Sequence, residues 1–167
     1  MFLNKLTNDE KIAYLKLARI VAMSDGAIEN SEQALLRQYA LEMQVSGDQG
    51  KPKQGEKSPK GAESASANLF NTTLFAMAMG ESQDQDDSEK DLQKLLLQFK
   101  SEKSRKIMLL EIMGIVYAND EYHANEEEII TTILDAYDYS PHLITIYSEW
   151  AKAELALYKQ GDALISL

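Results

Sequence analysis

The chain has 167 residues, a usual length for one domain, and 44% of them are hydrophobic, enough apolar surface for a continuous core. Its 27 Asp and Glu against 17 Lys and Arg leave a net charge of -10, which repels phosphate backbones and anionic headgroups and argues against nucleic acid as a partner. The absence of Cys excludes disulfides, thiol nucleophiles and thiolate metal sites.

The first ten residues lack a charged start followed by an apolar run, and the longest apolar stretches, Leu69 to Gly80 and Ile107 to Ala118, are too short to cross a bilayer. The expectation is a cytoplasmic protein without membrane insertion. Thr7-Asn8-Asp9-Glu10 has the form of a capping box, so a helix is predicted from about Asn8. It carries Ile12, Leu15, Ala18 and Ala22 on one face, widened by Leu17, Ile20 and Val21, and Asp25-Gly26 interrupts it. Asn30 with Gln33 is read as the cap of a second helix, presenting Ala34, Leu35, Tyr39 and Met43 to the core.

From Ser46 to Ala67 the composition turns to Gly, Ser, Lys, Gln and Ala, with four of the eight glycines and two of the three prolines, as expected of a flexible insertion. A short helix over Leu69 to Met79, an acidic connector from Glu81 to Asp87 and a helix capped at Ser88 follow, the last presenting Leu92, Leu95, Leu96 and Phe99. Ile107 to Ala118 is apolar nearly all round, apart from Glu111, and predicts a second central helix. Asn125 with Glu128 is read as another cap, before a helix whose buried face is Ile129, Ile130, Ile133, Leu134 and Tyr137. Ser140-Pro141 starts the last helix, docked through Leu143, Tyr147, Trp150, Ala151 and Leu157. The fold class is therefore all-α: one domain of about seven helices, with related halves over about 8–44 and 104–139.

The halves are visible as an internal repeat. A shift of 95 residues aligns Lys11–Gln44 with Lys106–Tyr139 without a gap and pairs identical residues at Lys11/Lys106, Ile12/Ile107, Leu15/Leu110, Ile20/Ile115, Val21/Val116, Asp25/Asp120, Asn30/Asn125 and Glu32/Glu127. Apolar identities are what two central helices require. Paired carboxylates at the turns are not required by a core. Asp25 with Glu32, and Asp120 with Glu127, are thus the candidate metal ligands, with Glu29 and Glu126 as accessory groups. Packing of the halves about a pseudo-twofold axis would bring both turns together. Crowded carboxylates repel, and a hard divalent cation such as Ca²⁺ or Mg²⁺ supplies the compensating charge. The competing structural role is equally concrete: a Glu in a first helical turn complements the helix dipole, and an Asp closes a turn. The spacing is not that of an EF-hand.

Ala18-Arg19-Ile20 followed by Ser24-Asp25-Gly26, and Gly114-Ile115-Val116 followed by Asn119-Asp120 with Glu127, resemble the two repeats of the TerB-like tellurite-resistance family. The resemblance covers both halves and omits the Ser46 to Ala67 insertion. It implies a compact all-helical fold, a bacterial cytoplasmic stress-response setting and acidic residues that bind a divalent metal; related domains accompany DnaJ-like co-chaperone modules. Position by position it points to Asp25, Glu32, Asp120 and Glu127. The second repeat departs from the family pattern in having Asp120-Glu121 instead of Asp-Gly, and in His123 at the turn.

His123 and His142 are the only histidines, and no Ser-His-Asp or paired Glu-x-x-His arrangement can be assembled from them. No Gly-rich phosphate loop follows a strand pattern. The reading is a non-enzymatic module that binds a divalent cation, protein partners or both. The alternative is a metal-free adaptor recruiting proteins through its acidic surface and insertion, and a small-molecule enzyme is the remaining one.

Overall fold

A computed structural model describes residues 2–24, 26, 28, 30–43, 88–119 and 122–166. These residues are all-helical, with no strand among them: a short 3-10 turn (Leu3–Lys5), α1 (Asn8–Ala22), α2 (Asn30–Glu42), α3 (Ser88–Leu96), α4 (Glu102–Val116), α5 (Ala124–Ala136) and α6 (His142–Ile165). The helix expected over Leu69 to Met79, the insertion and the acidic connector lie outside the described residues.

α1 starts where its sequence demands. The Thr7 hydroxyl accepts from the Glu10 amide, and the Glu10 carboxylate accepts from the Thr7 amide at 2.9 Å, so two otherwise orphaned donors are satisfied. At α4 the same box is built from Ser101 and Ser104. The boxes also meet each other. The Glu10 carboxyl is held below its ordinary range: burial pushes it up, and hydrogen bonds from Thr7, Ser104 and the Lys100 backbone outweigh that. α1 and α4 consequently share one polar junction at their N-terminal ends.

Both helices are central. α1 buries Ala13, Tyr14, Leu15, Leu17, Ala18, Val21 and Ala22, while α4 buries Ile107, Met108, Leu109, Ile112, Met113, Ile115 and Val116. α1 packs against every other helix except α6 in the principal contacts, and α4 carries α6, α2 and the N-terminal 3-10 turn. α2 crosses α4 at Gly114, where a Cβ would stand 2.5 Å from the Tyr39 hydroxyl. That hydroxyl donates to the Glu111 carbonyl at 3.3 Å, and the Tyr39 ring meets Tyr14 edge-on, with centroids 5.8 Å apart. Gly114 is therefore a packing glycine in the middle of a helix. Glu111 is fully buried beside it, and its carboxylate accepts the Phe2 amide, tying the N-terminal segment to α4.

The six helices of the described residues are among those expected from sequence, with differences in facing. On α2, Tyr39 and Met43 are buried and Leu35 is half-buried as expected, whereas Ala34 is exposed and Leu36, not among the expected core residues, is buried. α2 already includes Asn30, so Asn30 is not its cap. α5 is capped at His123, whose amide donates to Glu126 at 3.0 Å, rather than at Asn125 with Glu128. α3 ends at Leu96, and Leu92, Leu96 and Phe99 are buried as expected, with the Arg105 guanidinium holding the Phe99 carbonyl at 2.8 Å. On α6, Ala151 is buried and Leu143, Tyr147 and Trp150 are half-buried, but Leu157 is exposed, about 120° round the helix from Ala151.

Candidate functional site

The two helix pairs are built alike. α1 and α4 are each 15 residues long, α2 and α5 each 13, and the second half is displaced from the first by 94 positions rather than 95. The closing hydrogen bonds follow the same displacement: Met23 to Arg19 and Ser24 to Val21 in one half, Tyr117 to Met113 and Ala118 to Ile115 in the other. So does burial. Glu32, Leu36, Tyr39 and Ala40 correspond to Glu126, Ile130, Ile133 and Leu134, and all eight are buried. Lys11 and Arg105 correspond as well: the Lys11 ammonium donates to the Met43 carbonyl at 2.6 Å, and Arg105 lies over the ring of Tyr137, the counterpart of Met43. Burial lowers the Lys11 ammonium from its ordinary range.

This one-residue difference changes the candidate carboxylates. One position on a helix is a rotation of about 100°. Glu32 is 1% exposed and its structural counterpart Glu126 is 2% exposed, both in the third position of their helices, where a Glu reaches back to the cap. Glu127, the counterpart suggested by sequence identity, is exposed. Asp25 and Asp120 lie outside the described residues, as do Glu29 and Glu121. Among the described residues no three His, Asp or Glu side chains are grouped to hold a metal ion.

The structure does bring the two turns together. The Asn125 side-chain amide, in the first turn of α5, donates to the Ser24 carbonyl at 2.8 Å, immediately before Asp25. Gly26, at φ 110, takes the chain through the left-handed region there, a conformation that strains any residue with a side chain. On the other side Tyr122 packs its ring 5.7 Å from that of Tyr117. The Tyr122 phenol is pushed up to about 12, first by burial and then by the negative charge of Glu127, with smaller contributions from Tyr117 and Glu126. The Tyr117 hydroxyl bonds Ser148 of α6 at 3.2 Å, and Lys152 sits over its ring. One end of the domain thus gathers both turns, two first-turn glutamates and a tyrosine pair.

A separate shallow pocket of about 370 Å³ opens between α4 and α6, lined by Glu102, Lys103, Lys106, Ile107, Leu110 and Tyr147. Lys106 pairs with Glu102 at 2.5 Å on an exposed surface. None of the lining side chains forms a nucleophile–base pair, and no helix among the described residues is long and apolar enough to cross a membrane. Comparison of the chain with protein-family models, with curated proteins and with solved structures finds no match.

Sequence reasoning missed the structural register because it weighed identities. The signal that would have found it is the capping pattern: Glu10, Glu32, Ser104 and Glu126 all stand third in their helices.

Proposed function

We propose that the chain is a non-enzymatic, TerB-like binding module, with two halves related by a pseudo-twofold repeat, whose paired inter-helix turns bind a divalent cation and couple it to a protein partner. The observation that carries this reading is the Asn125–Ser24 hydrogen bond, which sets the turn containing Asp25 against the start of α5. Matching helix lengths and matching burial support the repeat. Ca²⁺ or Mg²⁺ is the cation class, because the side chains on offer are hard oxygen donors. Within this reading Asp25 and Asp120 are the ligating groups, Glu127 is the exposed carboxylate available to join them, and Glu32 serves chiefly to hold the helix start.

Titration with Ca²⁺, Mg²⁺ and Mn²⁺ followed by backbone NMR tests it. Amides from Met23 to Ile28 and from Asn119 to Asn125 are expected to move first, and joint Asp25→Asn and Asp120→Asn substitution is expected to abolish the response. Silence at millimolar metal, or a response that survives the double substitution, overturns the cation site.

The burial of Glu32 and Glu126 at cap positions favours a second reading, a metal-free adaptor that recruits proteins through its acidic surface and the Ser46 to Ala67 insertion. Partner recovery that ignores chelator and is lost on deleting 46–67 distinguishes it.

A further inference from the structure

The last helix leaves apolar surface open along its whole length. Ile146, Leu157 and Leu164 are 63%, 68% and 65% exposed. They are spaced by eleven and seven residues, so at 3.6 residues per turn they fall within about 20° of a single line, which Trp150 and Ala153 fill in. The buried Ser148 and Ala151 lie about 140° away on the same wheel, so the stripe faces away from the body. Tyr158 and Ile165 are 49% and 86% exposed, about 100° round the helix from this stripe, and the Tyr158 hydroxyl accepts from the Gln38 side-chain amide of α2. A helix with apolar residues outside as well as inside needs a second surface to cover it.

We propose that α6 pairs with α6 of a second copy of this chain, antiparallel about a twofold axis near residue 155. In that arrangement Ile146 of one copy meets Leu164 of the other, and Leu157 meets the small Ala153, so large faces small and the surface is complementary to itself. The exposed Ile146, Leu157 and Leu164 offer less area than a standard stable interface buries per partner, so the pairing is weak and concentration-dependent. Charge also selects this face. The whole chain carries -10, which opposes contact between copies over most of the surface, whereas α6 carries Glu149, Glu154 and Asp162 against Lys152 and Lys159 and is nearly neutral. The Lys152–Glu149 contact at 4.0 Å sits on its exposed flank.

Sedimentation equilibrium of the full chain from about 5 to 500 µM tests the pairing, the range in which an interface of this modest size dissociates. A monomer–dimer equilibrium in that range is expected, with Leu157→Glu weakening it at least tenfold and Leu97→Glu, an exposed leucine on the α3 side, leaving it unchanged. Circular dichroism of each variant is expected to match the parent. A monomer at 500 µM overturns the proposal, as does a dimer indifferent to Leu157→Glu. A dimer seen only after deleting residues 44–87 overturns it too, since the chain's own segment is then the occupant of the stripe.

Discussion

The first helical pair, α1 with α2, and the second, α4 with α5, have the same lengths, the same closing hydrogen bonds and the same pattern of burial, yet in that register few side chains are identical. Leu15 and Leu109 coincide, as do Glu32 and Glu126. Leu17 stands where the other half buries Glu111, and Ile20 stands where it has Gly114. What the halves hold in common is a frame: where each helix starts, which face is dry, and which basic side chain ties the first helix to the end of the second. Volume and charge are redistributed inside that frame. The Gly114 gap in one half admits Tyr39 from the other, so the asymmetry is itself complementary.

The largest test of this comparison makes the halves more alike. Gly114→Ile installs the residue of the first half, and its Cβ alone would meet the Tyr39 hydroxyl at 2.5 Å. A loss of about 3 kcal/mol or more is expected from overpacking in chemical denaturation. Gly114→Ala is expected to lose about 1–3 kcal/mol despite the better helix propensity of alanine. Either variant as stable as the parent would show that α2 does not depend on this crossing.

A middle-sized effect separates the two registers. Glu32→Ala and Glu126→Ala are each expected to cost about 1–2 kcal/mol, the scale of a lost helix cap with its buried partners, and Glu127→Ala to stay within about 0.5 kcal/mol. Equal losses at Glu126 and Glu127 would erase the distinction between a capping carboxylate and a solvated one.

The smallest effect is the pH dependence carried by Tyr122. The Tyr122 phenol is raised from 10 to about 12 in the fold, so the protein favours its neutral form. Its contribution is fully present below pH 10 and is lost as pH rises through 12, because the unfolded phenol ionises first. Absorbance titration of Tyr122→Phe is expected to lose one late-ionising tyrosine, and Glu127→Gln to lower the Tyr122 midpoint. An unchanged midpoint in Glu127→Gln would separate that carboxylate from the tyrosine pair.

Much of the architecture was legible in the amino-acid order because helix starts are chemically marked. Thr7 with Glu10 sets the first helix, and the apolar run from Ile107 marks the second central one. The caps of α2 and α5 were harder. Asn30 and Asn125 resemble caps, but asparagine serves equally well inside a first turn when its side chain reaches another loop, as Asn125 does to Ser24. The cap is misplaced by one residue at α2 and by two at α5, so the identities pair the halves one residue out of step, and on a helix one residue carries a side chain from the solvent face to the buried face. Hence identity pairs Glu32 with Glu127, whereas the helix starts pair it with Glu126. Leu157 illustrates a different limit: the sequence marks it as apolar, but which face of α6 packs on the body decides whether anything covers it.

The shared junction at Glu10 and Ser104 bears on how the protein comes apart. Because Glu10 takes hydrogen bonds from its own cap, from Ser104 and from the Lys100 backbone, fraying the first turn of α1 strips partners from the start of α4. The two central helices, some ninety residues apart in the chain, therefore open at one end as a single unit, and amide protection there belongs to the domain and not to either half.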